Sequence, residues 1–275
     1  MINVPSEFQP HIRVDYPPNN HLIFEEWFYK QKNDELFDAD SIEPEHEYLP
    51  SFWTSYYVNN NYGNDRKAKQ RLQDFINGLD KSKKYFTVLQ YDDGILNDIS
   101  GLDIKVFSMG GGRYDYPLPL ITQPHPYSFT NQRDIFCNFM GGLTHQIRKD
   151  LLPYAKKAGY LCSTSPMPIE TYCMNLARSV FTLAPRGYGV TSFRLMEAVQ
   201  FGSIPVYISD KFMLPHNEIF DYGVLIEPHH VCVIDKILKH ITPGEIAYKQ
   251  QRLKEVWEMF TYEGCKKRIY DNIQK

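Results

Sequence analysis

Twelve consecutive residues, Arg186-Gly187-Tyr188-Gly189-Val190-Thr191-Ser192-Phe193-Arg194-Leu195-Met196-Glu197, bring together two guanidinium groups, two glycines, two aliphatic hydroxyls and a carboxylate. That combination suits an anionic, hydroxyl-rich ligand. Glycines let backbone approach a ligand closely. Amides at a helix start, with arginines beside them, can neutralise a diphosphate. A carboxylate further along the helix can accept hydrogen bonds from ribose hydroxyls. A helix from Thr191 to about Phe201 would put Glu197 about 9 Å along the axis from Thr191, at 1.5 Å per residue. That is comparable to the span from a phosphate to the ribose of one nucleotide. Gly-x-Gly alone is a weak signal, but the helix adds to it. Phe193, Leu195, Met196, Ala198, Val199 and Phe201 spread around its circumference, which predicts a buried helix. Charges on such a helix need partners. The plain alternative is an Arg194–Glu197 ion pair at i, i+3 with no ligand.

Residues elsewhere could act as a general base. Asp92 and Asp93 follow the apolar run Tyr85–Gln90 and precede Gly94, so either could be a carboxylate at a strand end or part of an ordinary acidic turn. His125, between Pro124 and Pro126, is a rival. His229-His230 has no acidic or cysteine ligand set at helpful spacing and reads as a solvated turn, so no metal site is expected. Gly110-Gly111-Gly112 lacks the Lys-Ser/Thr of a phosphate-binding loop and reads as a hairpin or acceptor loop.

The elements that must position these groups alternate between strand and helix. In the first half the expected strands are Ile12–Tyr16, Phe52–Val58, Tyr85–Gln90, Ile104–Ser108 and Leu118–Thr122, with a helix over Asp65–Leu79. In the second half the strands are Asp134–Phe139, Tyr160–Ser163, Val180–Ala184, Ile204–Ser209 and Gly223–Glu227. Helices are expected over Thr144–Ala158, Glu170–Ser179, Thr191–Phe201 and, last, Glu245–Phe260. Strand–helix alternation implies parallel sheets. Prolines cluster near residues 123–132, so the domains are placed at 1–127 and 128–275, with the C-terminal helix free to pack back on the first.

Composition narrows the function. Hydrophobic residues make up 43% and charged residues 23% of 275, as in ordinary globular proteins. A net charge of −3 argues against a nucleic-acid binder that relies on basicity. No apolar run approaches the roughly 20 residues of a membrane span, and no leader is visible, so a soluble cytoplasmic protein without membrane insertion is expected. The five cysteines form no CxxC pair, which argues against structural zinc and for free thiols. The 20 Tyr and 17 Phe could line a sugar cleft or simply fill a core.

From Leu176 to Ile226, the run LARSVFTLAPRGYGVTSFRLMEAVQFGSIPVYISDKFMLP resembles the exostosin family of glycosyltransferases. The likeness lies in an ordered S-x-F-x-L-x-P-x-G, S-x-R-x-x-E-A and G-x-I-P-V, then an acidic residue and a proline. Weaker echoes occur at Ile12–Pro17, Tyr48–Thr54, Tyr85–Gly94 and Arg133–Arg148. The resemblance implies a GT-B fold, two Rossmann-like domains with the active site in the cleft between them. It also implies inverting transfer without an essential metal or other cofactor. Carried over, Arg186, Gly187, Tyr188, Thr191, Ser192, Arg194 and Glu197 fall in the nucleotide-diphosphate site, with Gly189 in the same loop and Asp210 near the donor sugar. Asp92 matches an aspartate that follows a histidine in many relatives, where this chain has Tyr91. Met140 stands where relatives often have a basic residue. The chain is compact, like the exostosin-like enzymes of large algal viruses, so a host's cytoplasm is one expected location. The implied partners are a UDP-sugar, xylose first, and an oligosaccharide or glycoprotein glycan acceptor. A phosphorylase or epimerase, or a catalytically inactive glycan-binding module, would keep the same fold.

Overall fold

Alternating apolar runs and amphipathic stretches build two parallel sheets. The computed structural model describes residues 2–11, 23–31, 45–129, 132–214 and 220–273; the strand expected at Ile12–Tyr16 lies outside them. The chain divides into two units, Met1–Leu118 with Tyr262–Lys275, and Pro119–Thr261.

The first unit holds a parallel sheet in the order β1 (Glu47–Tyr48), β2 (Lys84–Leu89), β3 (Asp103–Ser108), β4 (Tyr116–Pro117). Every residue of β2 after Lys84 is buried, as expected for a parallel strand covered on both faces. Its helices are α1 (Phe24–Lys30), α2 (Trp53–Asn59), α3 (Arg66–Asn77) and, from the C-terminus, α9 (Tyr262–Ile273). Asp65 caps α3 by accepting from the amides of Lys67 and Ala68. The helix then buries Ala68, Leu72 and Ile76, one stripe at i, i+4, i+8.

Two expected strands of this unit are not strands. Phe52–Val58 has strand-like aromatic and β-branched composition, yet it forms α2, with Trp53 to Val58 all buried. The deciding partners are remote: Glu25 accepts from the Thr54 amide, and Glu26 from the Ser55 hydroxyl, at the start of that helix. Leu118–Thr122 makes no ladder. Only Tyr116–Pro117 pairs with β3; the Leu118 amide adds one bond to the Ser108 carbonyl, and Pro119 then has no amide with which to continue a ladder.

The second unit holds five parallel strands in the order β6 (Leu161–Ser163), β5 (Ile135–Met140), β7 (Ser179–Pro185), β8 (Ile204–Ile208), β9 (Val224–Ile226). Numbered within the unit, this is 2-1-3-4-5, a doubly wound Rossmann-like sheet whose strand order reverses between β5 and β7. Ligands of such sheets bind outside the carboxyl ends of the strands at that reversal. The helices are α4 (Gln146–Lys157), α5 (Ile169–Arg178), α6 (Arg194–Gln200), α7 (Ile234–His240) and α8 (Pro243–Val256). Two parallel-sheet α/β units are the components the GT-B expectation requires.

The helix expected from Thr191 begins three residues later, at Arg194. Tertiary contacts hold residues 190–192 in a loop: the Tyr207 and Ser209 hydroxyls both donate to the Val190 carbonyl, and the Gly187 amide donates to the Thr191 carbonyl. At the C-terminus, α8 ends at Val256 and continues as a 3-10 turn over Trp257–Phe260. The chain then forms a further helix, α9, beyond the last one expected. Among the described residues, no helix is long and apolar enough to cross a membrane.

Candidate functional site

The strand reversal of the second unit gathers the charged residues of the glycine loop. Pro185 ends β7, and Arg186 follows it with its amide bound to the Ile208 carbonyl of β8. Its guanidinium donates to the carbonyls of Gly189 and Tyr188 and to the Asp210 carboxylate. The loop thereby folds around its own arginine, leaving Tyr188 77% exposed. Arg186 holds Asp210 below the usual carboxylate range. Two residues that the sequence offered separately thus form one ion pair, with Asp210 half exposed.

Arg194 opens α6 and reaches the end of β5. Its Nε donates to the Met140 carbonyl, Nη1 lies 3.4 Å from the Ser192 hydroxyl, and the guanidinium sits 5.7 Å from the Phe139 ring centroid. Gly141 makes this possible. Its φ is +151°, and a Cβ there would lie 1.3 Å from Arg194 Nη2. The backbone of Met140 takes part, while its side chain is buried.

The helix-start amides are partly committed. The Arg194 amide lies 3.4 Å from the Ser192 hydroxyl, and the Leu195 amide donates to the Ser192 carbonyl at 3.0 Å. Thr191 and Ser192 are both buried, and the Thr191 side chain bonds Tyr207. The start of α6 therefore leaves few uncommitted amides.

Glu197 is not hydrogen-bonded to Arg194. Its carboxylate accepts from the Tyr172 hydroxyl of α5 and lies 3.3 Å from His125 Nε2. Burial alone would raise its pKa, but the His125 and Tyr172 hydrogen bonds and the charge of Arg194 outweigh it and hold the group below the usual carboxylate range. His125 is itself fixed by paired bonds with Gln200, its amide donating to Oε1 and its carbonyl accepting from Nε2. Its ring stacks on Phe201.

Three supporting residues escaped the sequence reading. Arg148 donates to the carbonyls of Arg186, Gly142 and Pro185, tying the ends of β5 and β7 together. It lies on the buried stripe of α4 with Ile147, Leu151 and Ala155, and a charge on an apolar stripe was the available signal. His145 caps α4. Burial and the charge of Arg186 hold it below the usual imidazole range. Tyr172 carried no signal at all, since a tyrosine on an amphipathic helix reads as packing.

In the first unit, Asp92 and Asp93 occupy a turn after β2, Asp92 half-buried and Asp93 exposed. Gly94, at φ +78°, closes it. The triglycine segment packs backbone to backbone against this turn. A Cβ on Gly110 would lie 2.0 Å from the Tyr91 carbonyl oxygen, and one on Gly111 2.4 Å from that of Asp92. The segment read as a hairpin or acceptor loop is a close-packed wall behind the aspartates. Tyr91 is pushed up to about 12 by burial and by the charges of Asp93 and Asp92.

A cavity of about 770 Å³ in the second unit is lined by Tyr127, Phe129, Arg133, Phe201, Lys254 and Trp257, among others. It includes none of the loop residues named above. His229 and His230 do have an acidic neighbour, contrary to the expectation from spacing: Glu227 Oε2 lies 3.4 Å from His229 Nε2.

Residues 105–239 match the Exostosin GT47 domain. Among curated proteins, the chain is 41% identical over 86 residues to the protein named probable beta-1,4-xylosyltransferase IRX10L of Arabidopsis thaliana, covering 30% of this chain and 20% of that one. It is 40% identical over 86 residues to the protein named probable glucuronosyltransferase 47 A of Physcomitrium patens, covering 30% and 19%. The match thus spans about a fifth of these relatives' length. Among solved structures, AviGT4, a glycosyltransferase involved in avilamycin A biosynthesis, aligns with a TM-score of 0.44 at 12% identity, over 96% of this chain and 94% of that one. The pneumococcal O-GlcNAc transferase GtfA in complex with UDP and GlcNAc aligns with a TM-score of 0.42 at 9% identity, over 75% and 60%.

Proposed function

The chain is exostosin-like, with residues 105–239 matching the Exostosin GT47 domain, and from that premise we propose that it is an inverting glycosyltransferase that moves a sugar from a UDP-sugar to a glycan hydroxyl. The observation that carries this reading is Arg194 laid over Gly141 at the strand reversal, with Glu197 kept anionic on the same helix. A guanidinium there suits a diphosphate, and a carboxylate with spare lone pairs suits ribose hydroxyls. Arg186 supplies the second positive charge once phosphate oxygens compete with Asp210 for it, which releases Asp210 toward the sugar. Gly187, Tyr188, Gly189, Thr191 and Ser192 shape the loop around the same ligand.

In the transfer, the acceptor oxygen bonds to the anomeric carbon as the bond from that carbon to the phosphate oxygen breaks. UDP leaves with the bonding pair, its charge met by Arg186 and Arg194. The acceptor proton passes to a base. We assign that role to Asp92, which is half-buried at the carboxyl end of β2 against a glycine wall. His125 is the rival, and its engagement with Glu197 and Gln200 suits support better than proton transfer. Relatives named for both xylosyl and glucuronosyl transfer leave the sugar to experiment; xylose remains the first candidate. The second reading, an inactive glycan-binding module, keeps the fold and loses the transfer.

A thermal-shift screen of UDP-, GDP- and dTDP-sugars, followed by transfer of a labelled donor, tests the proposal. A selective upshift with one UDP-sugar is expected, since a ligand that binds only the folded state stabilises it. Activity should survive EDTA, the arginines doing the work a cation would otherwise do. Activity lost to EDTA and restored by manganese overturns the metal-independent mechanism. Donor binding without transfer to any acceptor favours the binding module.

A further inference from the structure

β9 ends at Ile226, paired with Ile208 of β8. The next residues, Glu227-Pro228-His229-His230, enter a 3-10 turn over Pro228–Val233. Pro228 restricts the backbone at the first position of this turn, and the His230 amide donates to the Glu227 carbonyl at 2.9 Å. Three ligand-bearing side chains are thus held on one short, hydrogen-bonded bend. The ligand atoms of Glu227, His229 and His230 all lie within 4.8 Å of one another, and all three residues are exposed. The Glu227 Oε2 to His229 Nε2 separation is 3.4 Å. Bond lengths of about 2.0–2.1 Å give a tetrahedral edge of about 3.3–3.4 Å, so two of the ligands already stand at the spacing zinc requires. The two imidazole rings lie 3.9 Å apart, centroid to centroid.

We propose that Glu227, His229 and His230 form a binding site for a borderline divalent transition metal, Zn2+ first, with water completing the coordination. Two imidazoles and one carboxylate match zinc, copper or nickel. They do not match magnesium or calcium, which take oxygen ligands. The site is distinct from the arginine cluster assigned to the diphosphate and does not depend on that assignment. Occupancy would clip the end of β9 to the turn that leads into α7.

Untagged protein is titrated with Zn2+ alone against a chromophoric zinc indicator. Wild type should withhold one equivalent of Zn2+ from the indicator. The double variant His229→Ala, His230→Ala should withhold none, and Glu227→Gln should bind at least about tenfold more weakly, since loss of even an outer-shell partner costs about 10–100-fold in metal affinity. All three residues are exposed, so the variants should keep the wild-type circular dichroism spectrum. Substitution by Co2+ should give the visible absorption of a four-coordinate site in wild type only. Failure of wild type to withhold Zn2+, or retention of full zinc affinity by the double variant, overturns the site. So does displacement of the Zn2+ by equimolar Mg2+, which would show only general attraction of cations.

Discussion

Each unit holds a carboxylate largely out of water, and the two are tuned in opposite directions. In the first unit, Glu25 on α1 is wholly buried and accepts from the Thr54 amide and hydroxyl and from the Gln90 amide at 2.8 Å. Burial pushes it up to about 8; the hydrogen bonds from Thr54 and Gln90 offset part of that, and the charge of Glu26 adds to it. In the second unit, Glu197 is held below the usual range. Both are desolvated and both accept hydrogen bonds, but the balance differs: for Glu197 the bonds from His125 and Tyr172, with the charge of Arg194 behind them, outweigh burial, whereas for Glu25 the bonds from Thr54 and Gln90 do not, and Glu26 adds to the rise. Glu25 is thereby suited to clasp α1, α2 and the end of β2 together as a neutral acid. Glu197 is suited to stay charged and accept hydrogen bonds from a ligand.

The largest expected effect lies outside this buried pair and tests whether the first unit contributes chemistry as well as structure. Asp92→Asn should retain donor binding and lower kcat by roughly 10²–10⁴-fold, the usual worth of a general base. Asp93→Asn should stay near wild type. Steady-state transfer assays check both, and an essential Asp93 beside a dispensable Asp92 would reassign the base.

Removing the cation from the second unit comes next. Arg194→Met should weaken UDP binding by calorimetry about 100-fold. That corresponds to about 2.8 kcal/mol, within the range for hydrogen bonds to charged groups. Unchanged affinity would make Arg194 a strut between β5 and α6 and no more.

Glu197→Gln should raise the donor KM about tenfold with kcat little changed, because a ribose contact is present in ground and transition states alike. A collapsed fold with unaltered affinity in the residual folded fraction would mean that Glu197 serves packing.

The last expectation concerns stability and leaves the transfer reaction aside. Because Glu25 is raised in the folded state, the folded chain binds its proton more tightly than the unfolded chain. Its contribution is therefore present at low pH and is lost as pH rises from about 4.3, the unfolded glutamate value, toward the folded value of about 8. Glu25→Gln should flatten the fall in Tm between those limits. Parallel Tm profiles for variant and wild type would show that Glu25 is ionised without a cation, and the contrast with Glu197 would fail.

Local patterning made much of this protein legible. The β7–loop–α6–β8 segment was readable because its glycines, arginines and apolar runs are contiguous, and the strand and helix periods survive within it. The stripe Ala68, Leu72, Ile76 announced α3 for the same reason. The helix α9 carries the same kind of signal, since Cys265, Ile269 and Ile273 repeat at i+4, although the expected helices end at Phe260. Phe52–Val58 could not be read correctly, because its composition favours a strand and its helix start is satisfied by glutamates almost thirty residues earlier.

The sequence by itself therefore determined which charged and hydroxyl groups are gathered in one short segment and that strands and helices would alternate around them. Tertiary structure alone decided the partners: Met140 and Gly141 for Arg194, Asp210 for Arg186, Tyr172 and His125 for Glu197. These partners lie 24 to 72 residues away along the chain. Local periodicity reports only which face of an element is apolar. The charge state of a buried carboxylate is set by the field of whatever folding brings beside it, and that neighbour is not written in the residues around it.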